Sequence, residues 1–222
     1  MDAKCKRISR EKSKEASARA KSIHYRILEE VNKKYKFSFE KVGSGATGTI
    51  LGDEGAYDLD YNVILTKGSK ILSDVGKFET PTEIKNFFYG AIEKQLEKDE
   101  KIKSSSTAIT VTKLKENGKE KFHIDFAIID GTTDKKMIIR RNNDKEKPHY
   151  NQFTWNEMPD PHIASKLFNE IPNEERQKLI DEVIIPAKCE EKRKNDNNKT
   201  KITSSEVFVV KVMEYANKRK NN

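Results

Sequence analysis

The sequence predicts an α+β protein: a mixed β-sheet with flanking helices, then a small C-terminal helical lobe. Three observations predict it. Strand-like runs and amphipathic stretches alternate through the first 140 residues. The Asn117-Gly118 pair, between two strand-like runs, is a strong hairpin signal. Beyond residue 161 the patterns are helical. The expected division is a core at 1–140, with an N-terminal spine helix, and a short helical lobe at 141–222.

The elements are taken in chain order. Residues 6–35 lack Gly and Pro, Ser9 can cap their start, and Ala16, Ala20, Ile23, Ile27, Leu28 and Val31 recur at helical spacing. This predicts one long helix. Residues 36–42, KFSFEKV, alternate as a strand ending at Gly43. GSGATGT comes next as a loop leading into a short helical turn. Residues 57–65, YDLDYNVIL, are the next strand; Tyr57, Leu59, Tyr61, Val63 and Leu65 share one parity, Asp58 and Asp60 the other. Residues 82–98 read as an amphipathic helix, with Thr82 as cap. Residues 107–114 and 121–130 form the hairpin, and 136–140 an edge strand. Residues 141–161 read as irregular. Helices are expected at 163–171, 173–187 and 204–220, the last capped by Ser204 or Ser205. Residues 188–201, KCEEKRKNDNNKTK, read as a charged, Asn-rich loop.

Composition narrows the function. Of the 222 residues, 34% are hydrophobic and 36% charged, with a net charge of +8. A basic balance favours phosphate-bearing partners; the plain alternative is a lysine-rich surface that serves solubility. The two cysteines, Cys5 and Cys189, lie far apart and no CxxC spacing exists. The expectation is therefore no disulfide framework and a reducing, cytoplasmic location. The N-terminal stretch has no apolar core for a signal peptide, and no run is long enough to span a bilayer, so no membrane partner is expected.

The chemistry-bearing residues gather in two places. Asp58 and Asp60 are one residue apart in a strand, so both carboxylates face the same side. Asp is a poor strand residue, and like charges that close repel. Asp125, in HIDFAI, is a third carboxylate inside an apolar strand, costly unless paired or metal-bound. If the two strands are neighbours, the three converge. Hard oxygen ligands without thiols suit Mg²⁺ or Mn²⁺. Upstream, GSGATGT lets a backbone approach an anion closely, and a helix starting after Ser44 would favour phosphate. It is not a Walker A loop, since Thr49 and Ile50 come after Gly48. The plain alternative is solvent-facing strand carboxylates beside a Gly-rich turn. His123, on the Asp125 face, reads as a hydrogen-bonded structural histidine. His149 and His162 have no evident partners. Tyr150 and Trp155 read as packing residues, with stacking on a base as the alternative, and Arg140-Arg141 as either phosphate contacts or a solvated strand end.

Gly43-Ser44, then Gly48-Thr49, then Asp58-Leu59-Asp60, then Asp125 in an apolar strand together resemble the signature of the DNA polymerase β-like nucleotidyltransferases. The GS-x-x-x-GT…DLD form is closest to the oligoadenylate synthases and bacterial cyclic-dinucleotide synthases, the CD-NTases. The resemblance covers roughly residues 15–130. It implies a nucleotidyltransferase-like mixed sheet. It implies Asp58, Asp60 and Asp125 as catalytic metal ligands, with Mg²⁺ or Mn²⁺ as cofactor, and Gly43, Ser44 and Thr49 as nucleotide-binding residues. NTPs would be the substrates, with room for RNA or another activator, and the product a cyclic or linear oligonucleotide signal of the kind used in antiviral defence. Oligomeric state is left open. Two alternatives stand beside it: nucleotidylation of a tRNA or protein by a toxin-like enzyme, and a non-catalytic nucleotide or RNA sensor. The family's helical lobe usually supplies a nucleobase pocket and a phosphate-contacting lysine, and is longer than the 141–222 segment.

Overall fold

The computed structural model describes residues 5–52, 56–66, 79–132, 135–146, 150–158, 162–196 and 203–220. The expectation for His149 falls outside them, as does the loop reading of 197–201. The element order is β1 (Lys6–Arg7), α1 (Arg10–Val31), β2 (Phe37–Val42), α2 (Gly43–Thr47), β3 (Leu51–Gly52), β4 (Asp58–Leu65), α3 (Pro81–Glu93), β5 (Glu100–Ser104), β6 (Ala108–Leu114), β7 (Glu120–Asp130), β8 (Met137–Arg141), β9 (Phe153–Glu157), α4 (His162–Glu170), α5 (Asn173–Lys178), a π-helical turn (Leu179–Ile184), α6 (Ile185–Asp196) and α7 (Ser204–Lys220).

A seven-stranded mixed sheet runs β2-β4-β7-β6-β5, with β8 pairing the end of β7 and β9 pairing β8. The β4–β7 pairing is parallel and the rest are antiparallel. The expected α+β architecture is therefore present, with the hairpin at Asn117-Gly118 joining β6 to β7. Gly118 holds φ 76 there, which suits glycine.

Parity decides the two faces of the sheet. Leu59, Tyr61, Val63, Ile124, Phe126, Ile109 and Val111 point to one side and are buried. They form one core with Ala16, Ala20, Ile23 and Ile27 of α1 and Ile84, Phe88 and Ile92 of α3. Arg19 of α1 sits in the same layer and donates two hydrogen bonds, 2.7 and 2.6 Å, to the Glu100 carboxylate at the start of β5. The other face carries Asp58, Asp60 and Asp125. A second, separate core joins Phe168, Ile171, Leu179, Ile180, Ile184, Phe208 and Val212 of the C-terminal helices, with Leu51 packed against it.

Several expectations are corrected. Helix α1 starts at Arg10, because Lys6–Arg7 pair with Leu51–Gly52 instead; Ser9 caps it, as expected, accepting from the Lys12 amide. Helix α3 is capped by Thr80, not Thr82. Pro81 takes the first helical position, and Thr80 and Glu83 form a reciprocal capping box. Strand β8 is not an edge: β9 lies outside it, within the stretch expected to be irregular. Helix α7 is capped by Thr203, which exchanges hydrogen bonds with Glu206. Residues 188–196 are helical, not loop. Pro186 has no N–H to give Glu182, and the π-helical turn lies immediately before α6; the Ile185 amide donates to Ile180 O, one residue further back than in an α-helix. Finally, Cys5 and Cys189 are joined by a disulfide across a sequence separation of 184. That overturns the expectation of unpaired cysteines and removes its support for a reducing location. No described helix is long and apolar enough to cross a membrane.

Candidate active site

The parallel register of β4 and β7 places Asp60 beside Asp125 and Asp58 beside His123. The antiparallel register of β7 and β6 continues both rows, setting Thr110 opposite Asp125 and Thr112 opposite His123. Two polar rows thus cross three central strands on the face away from α1 and α3. One reads Asp60-Asp125-Thr110 and the other Asp58-His123-Thr112. The strands sit there because their opposite faces are apolar and buried; the carboxylates are carried along by the two-residue period.

A cavity of about 460 Å³ opens over these rows. Asp58, Asp60 and Asp125 line it, with Ser44 from α2 and Lys188, Glu191 and Lys192 from α6. The three sequence-predicted carboxylates and Ser44 are therefore brought together. Gly43 and Thr49 are not on the wall and act from behind it. Gly43 has φ 60, and a Cβ there would stand 2.8 Å from Asp60 Oδ2. Its missing side chain is what lets the Asp60 carboxylate lie against the backbone. Thr49 is fully buried, and its hydroxyl is engaged by Lys188 at 2.8 Å and by Thr47 at 2.8 Å. Helix α2 is one five-residue turn starting at Gly43, too short to supply the helix N-terminus expected after Ser44.

Electrostatics mark the site. Burial pushes the Asp60 carboxyl up to about 6, aided by Asp125 and Asp58 and opposed by Lys188. Burial also raises Asp58; His123 pulls it back down, and Asp125 and Glu120 add to the rise. Asp125 accepts a 2.5 Å hydrogen bond from the Thr110 hydroxyl. His123 is held by Thr112 at 3.0 Å and Glu120 at 3.1 Å, the structural role expected of it. Trp155 packs against the first core. Phe153 does so too, and carries the Lys85 ammonium 4.0 Å and the Arg141 guanidinium 5.0 Å from its ring centre. Arg141 thus lies against a ring, not in the cavity.

Lys188 is the cavity residue that the sequence reading missed. It is 2% exposed, and its ammonium donates to Ser44 Oγ at 3.1 Å and to Thr49. Burial lowers its pKa to about 8, with Asp60 resisting. It sits in a segment with no apolar periodicity, so nothing in the pattern marks it as inward. The one available signal is position: it comes within a turn of Ile184 and Ile185.

Among the described residues, no three His, Cys, Asp or Glu side chains are grouped tightly enough to hold a metal ion as they stand. The donor set nevertheless fits a hard divalent cation by its chemistry: three carboxylates on one wall, two of them raised in pKa by burial with neighbouring carboxylates adding to it, and no thiol. Three like charges on one wall repel one another, and a cation between them would relieve that.

Neither a protein-family model nor a curated protein sequence matches the chain. Solved structures do. Escherichia coli MS115-1 CdnC, solved in complex with HORMA-deltaN, superposes with a TM-score of 0.58 at 13% identity, covering 99% of this chain and 62% of that one. The CdnE c-di-GMP synthase of Capnocytophaga granulosa gives 0.57 at 15% identity, covering 93% and 60%. The Elizabethkingia meningoseptica CdnE cyclic dinucleotide synthase, solved with GTP and Apcpp, gives 0.54 at 11% identity, covering 86% and 67%. The chain has the CD-NTase fold. It spans about 60–67% of the length of these CD-NTase structures. The nucleotidyltransferase-like mixed sheet implied by the GS…DLD…D resemblance is the fold observed.

Proposed function

We propose that this chain is a metal-dependent nucleotidyltransferase. It joins an NTP-derived nucleotide to a hydroxyl and releases pyrophosphate. The acceptor is a second nucleotide, giving a cyclic or linear oligonucleotide. One observation carries the reading: the parallel β4–β7 register aligns Asp60 with Asp125 on the wall of a cavity that Lys188 and Ser44 also line. The synthase activity of the two CdnE proteins supports it by analogy of fold.

Asp58, Asp60 and Asp125 would hold Mg²⁺ or Mn²⁺. Bound there, such ions lower the pKa of an attacking hydroxyl and neutralise a leaving pyrophosphate. The chain's own groups do the rest by placement. Asp125, one strand over from the Asp58-Asp60 pair, would take the acceptor's proton. Ser44 and Lys188 would hold the triphosphate, the ammonium answering its negative charge in a half-enclosed site where such pairs are strengthened. Gly43 keeps Asp60 against the backbone. Little covalent chemistry is asked of the protein; positioning and charge suffice. The reading also places a helical lobe after β9, since Phe153 and Trp155 pack with the sheet.

The test is turnover: the full chain with Mg²⁺ or Mn²⁺ and each radiolabelled NTP, beside Asp60→Asn. A phosphatase-resistant product, lost in the variant, is expected. The net charge of +8 favours a second reading, a macromolecular acceptor. Label entering added RNA or protein, with no small product, would select it. Nucleotide binding without metal-dependent turnover under either condition would leave only a sensor.

A further inference from the structure

Thr110 stands out on β6. The strand is buried from Ala108 through Thr112 on both its faces. Ile109 and Val111 meet the apolar core, as a central strand requires. Thr110 is 5% exposed on the other face, where a valine of the same shape would fill the space. Its hydroxyl donates to Asp125 Oδ1 at 2.5 Å from directly across the strand pair. The neighbouring hydroxyl, Thr112, serves His123 instead. Each row therefore ends in a hydroxyl aimed at the β7 residue opposite it.

We propose that Thr110 is a positioning residue for Asp125. An aspartate's terminal torsion is broad and two-fold, so position alone does not set where its oxygens lie. Asp125 faces Asp60 in its own row and Asp58 in the next, and repulsion would turn its carboxylate away from both. The Thr110 hydroxyl ties down one oxygen and leaves the lone pairs of the other for a cation or an acceptor hydroxyl. Outer partners of this kind commonly govern ligand orientation and affinity. The inference rests on reading Asp125 as a carboxylate of the nucleotidyl-transfer site. A threonine kept only for its branched shape would make no distinction between hydroxyl and methyl.

The experiment uses the full chain with Thr110→Val, Thr110→Ser and Asp125→Asn. Mn²⁺ affinity is read by electron paramagnetic resonance of the free ion, and kcat and KM for NTP are read with Mg²⁺. Thr110→Val should weaken Mn²⁺ binding roughly 10- to 100-fold and lower kcat similarly, with KM nearly unchanged. Thr110→Ser should stay within a few-fold of the native chain. If Thr110→Val matches the native chain in both readouts, or Thr110→Ser loses as much as Asp125→Asn, the proposal is overturned. A native chain that binds no Mn²⁺ overturns it as well. Should the valine variant not fold, the serine variant decides alone by the same criterion. If no NTP is turned over, the proposed function falls, and the Mn²⁺ series still decides whether Thr110 positions Asp125.

Discussion

At the scale of single residues, the strongest force in the site is the burial of carboxylates, to which their mutual repulsion adds. Asp60 has an ordinary value of 3.8 and is raised to about 6. Between those values the folded chain binds more protons than the unfolded one, so stability falls as pH rises from about 4 to about 6 and stays low above. A rise of that size corresponds to on the order of 2–3 kcal/mol. Asp60→Asn removes the charge and keeps the shape. Without divalent metal the variant should melt higher than the native chain at pH 7 to 8, and the two should converge below about pH 4. Thermal unfolding across pH with a chelator present checks this; equal melting at pH 7.5 would show that burial of the charged Asp60 carboxylate costs no stability. Gly43 makes the complementary case. At φ 60, an alanine costs about 1–2 kcal/mol in backbone strain alone. Its Cβ would also press Asp60 Oδ2 at 2.8 Å. Gly43→Ala should therefore lower turnover further than its loss of stability explains, as comparison of melting and kcat would show.

At the scale of elements, an N-terminal strap holds the loop that follows α2. Arg7 Nε donates to Gly48 O at 2.8 Å, its guanidinium pairs with Asp181 at 2.6 Å, and Cys5 is bonded to Cys189 beside Lys188. A cross-link of that sequence separation removes much freedom from the unfolded chain. Reduction should cost on the order of 2–5 kcal/mol. Denaturant unfolding with and without thiol reductant checks it, and Cys5→Ser should be indifferent to reductant. Legibility in the sequence obeys the same physics. Strands β2, β4, β6 and β7 announced themselves by alternation, and α1 by its apolar stripe. The aspartates were legible because charge in an apolar strand demands a reason. Helix α6 was not: KCEEKRKND has no apolar period, its helicity rests on propensity and tertiary packing, and Lys188 was hidden with it. Strand β9 was lost because alternating Phe153 and Trp155 come after a polar stretch of turns. The disulfide joins residues that only the folded strap brings together.

At the scale of the whole molecule, the cavity lies where two separate cores meet, one under the sheet and one among the C-terminal helices. Its walls come from both: the aspartates ride on the sheet, and Lys188 rides on α6. A ligand that engages both walls must stabilise the native chain as a unit. At a hundred times its Kd, a single ligand adds about 2.7 kcal/mol. For a chain of this length that is a rise of about 5–10 °C in Tm. Mn²⁺ with a nonhydrolysable NTP should produce such a shift. The two walls should then be separable. Asp60→Asn should lose the part of the shift that depends on metal, while Lys188→Met should lose the part that depends on the triphosphate and keep the response to Mn²⁺ alone. An undiminished shift in both variants would mean that the ligand binds elsewhere, and the site would have to be sought outside the Asp60-Asp125 row.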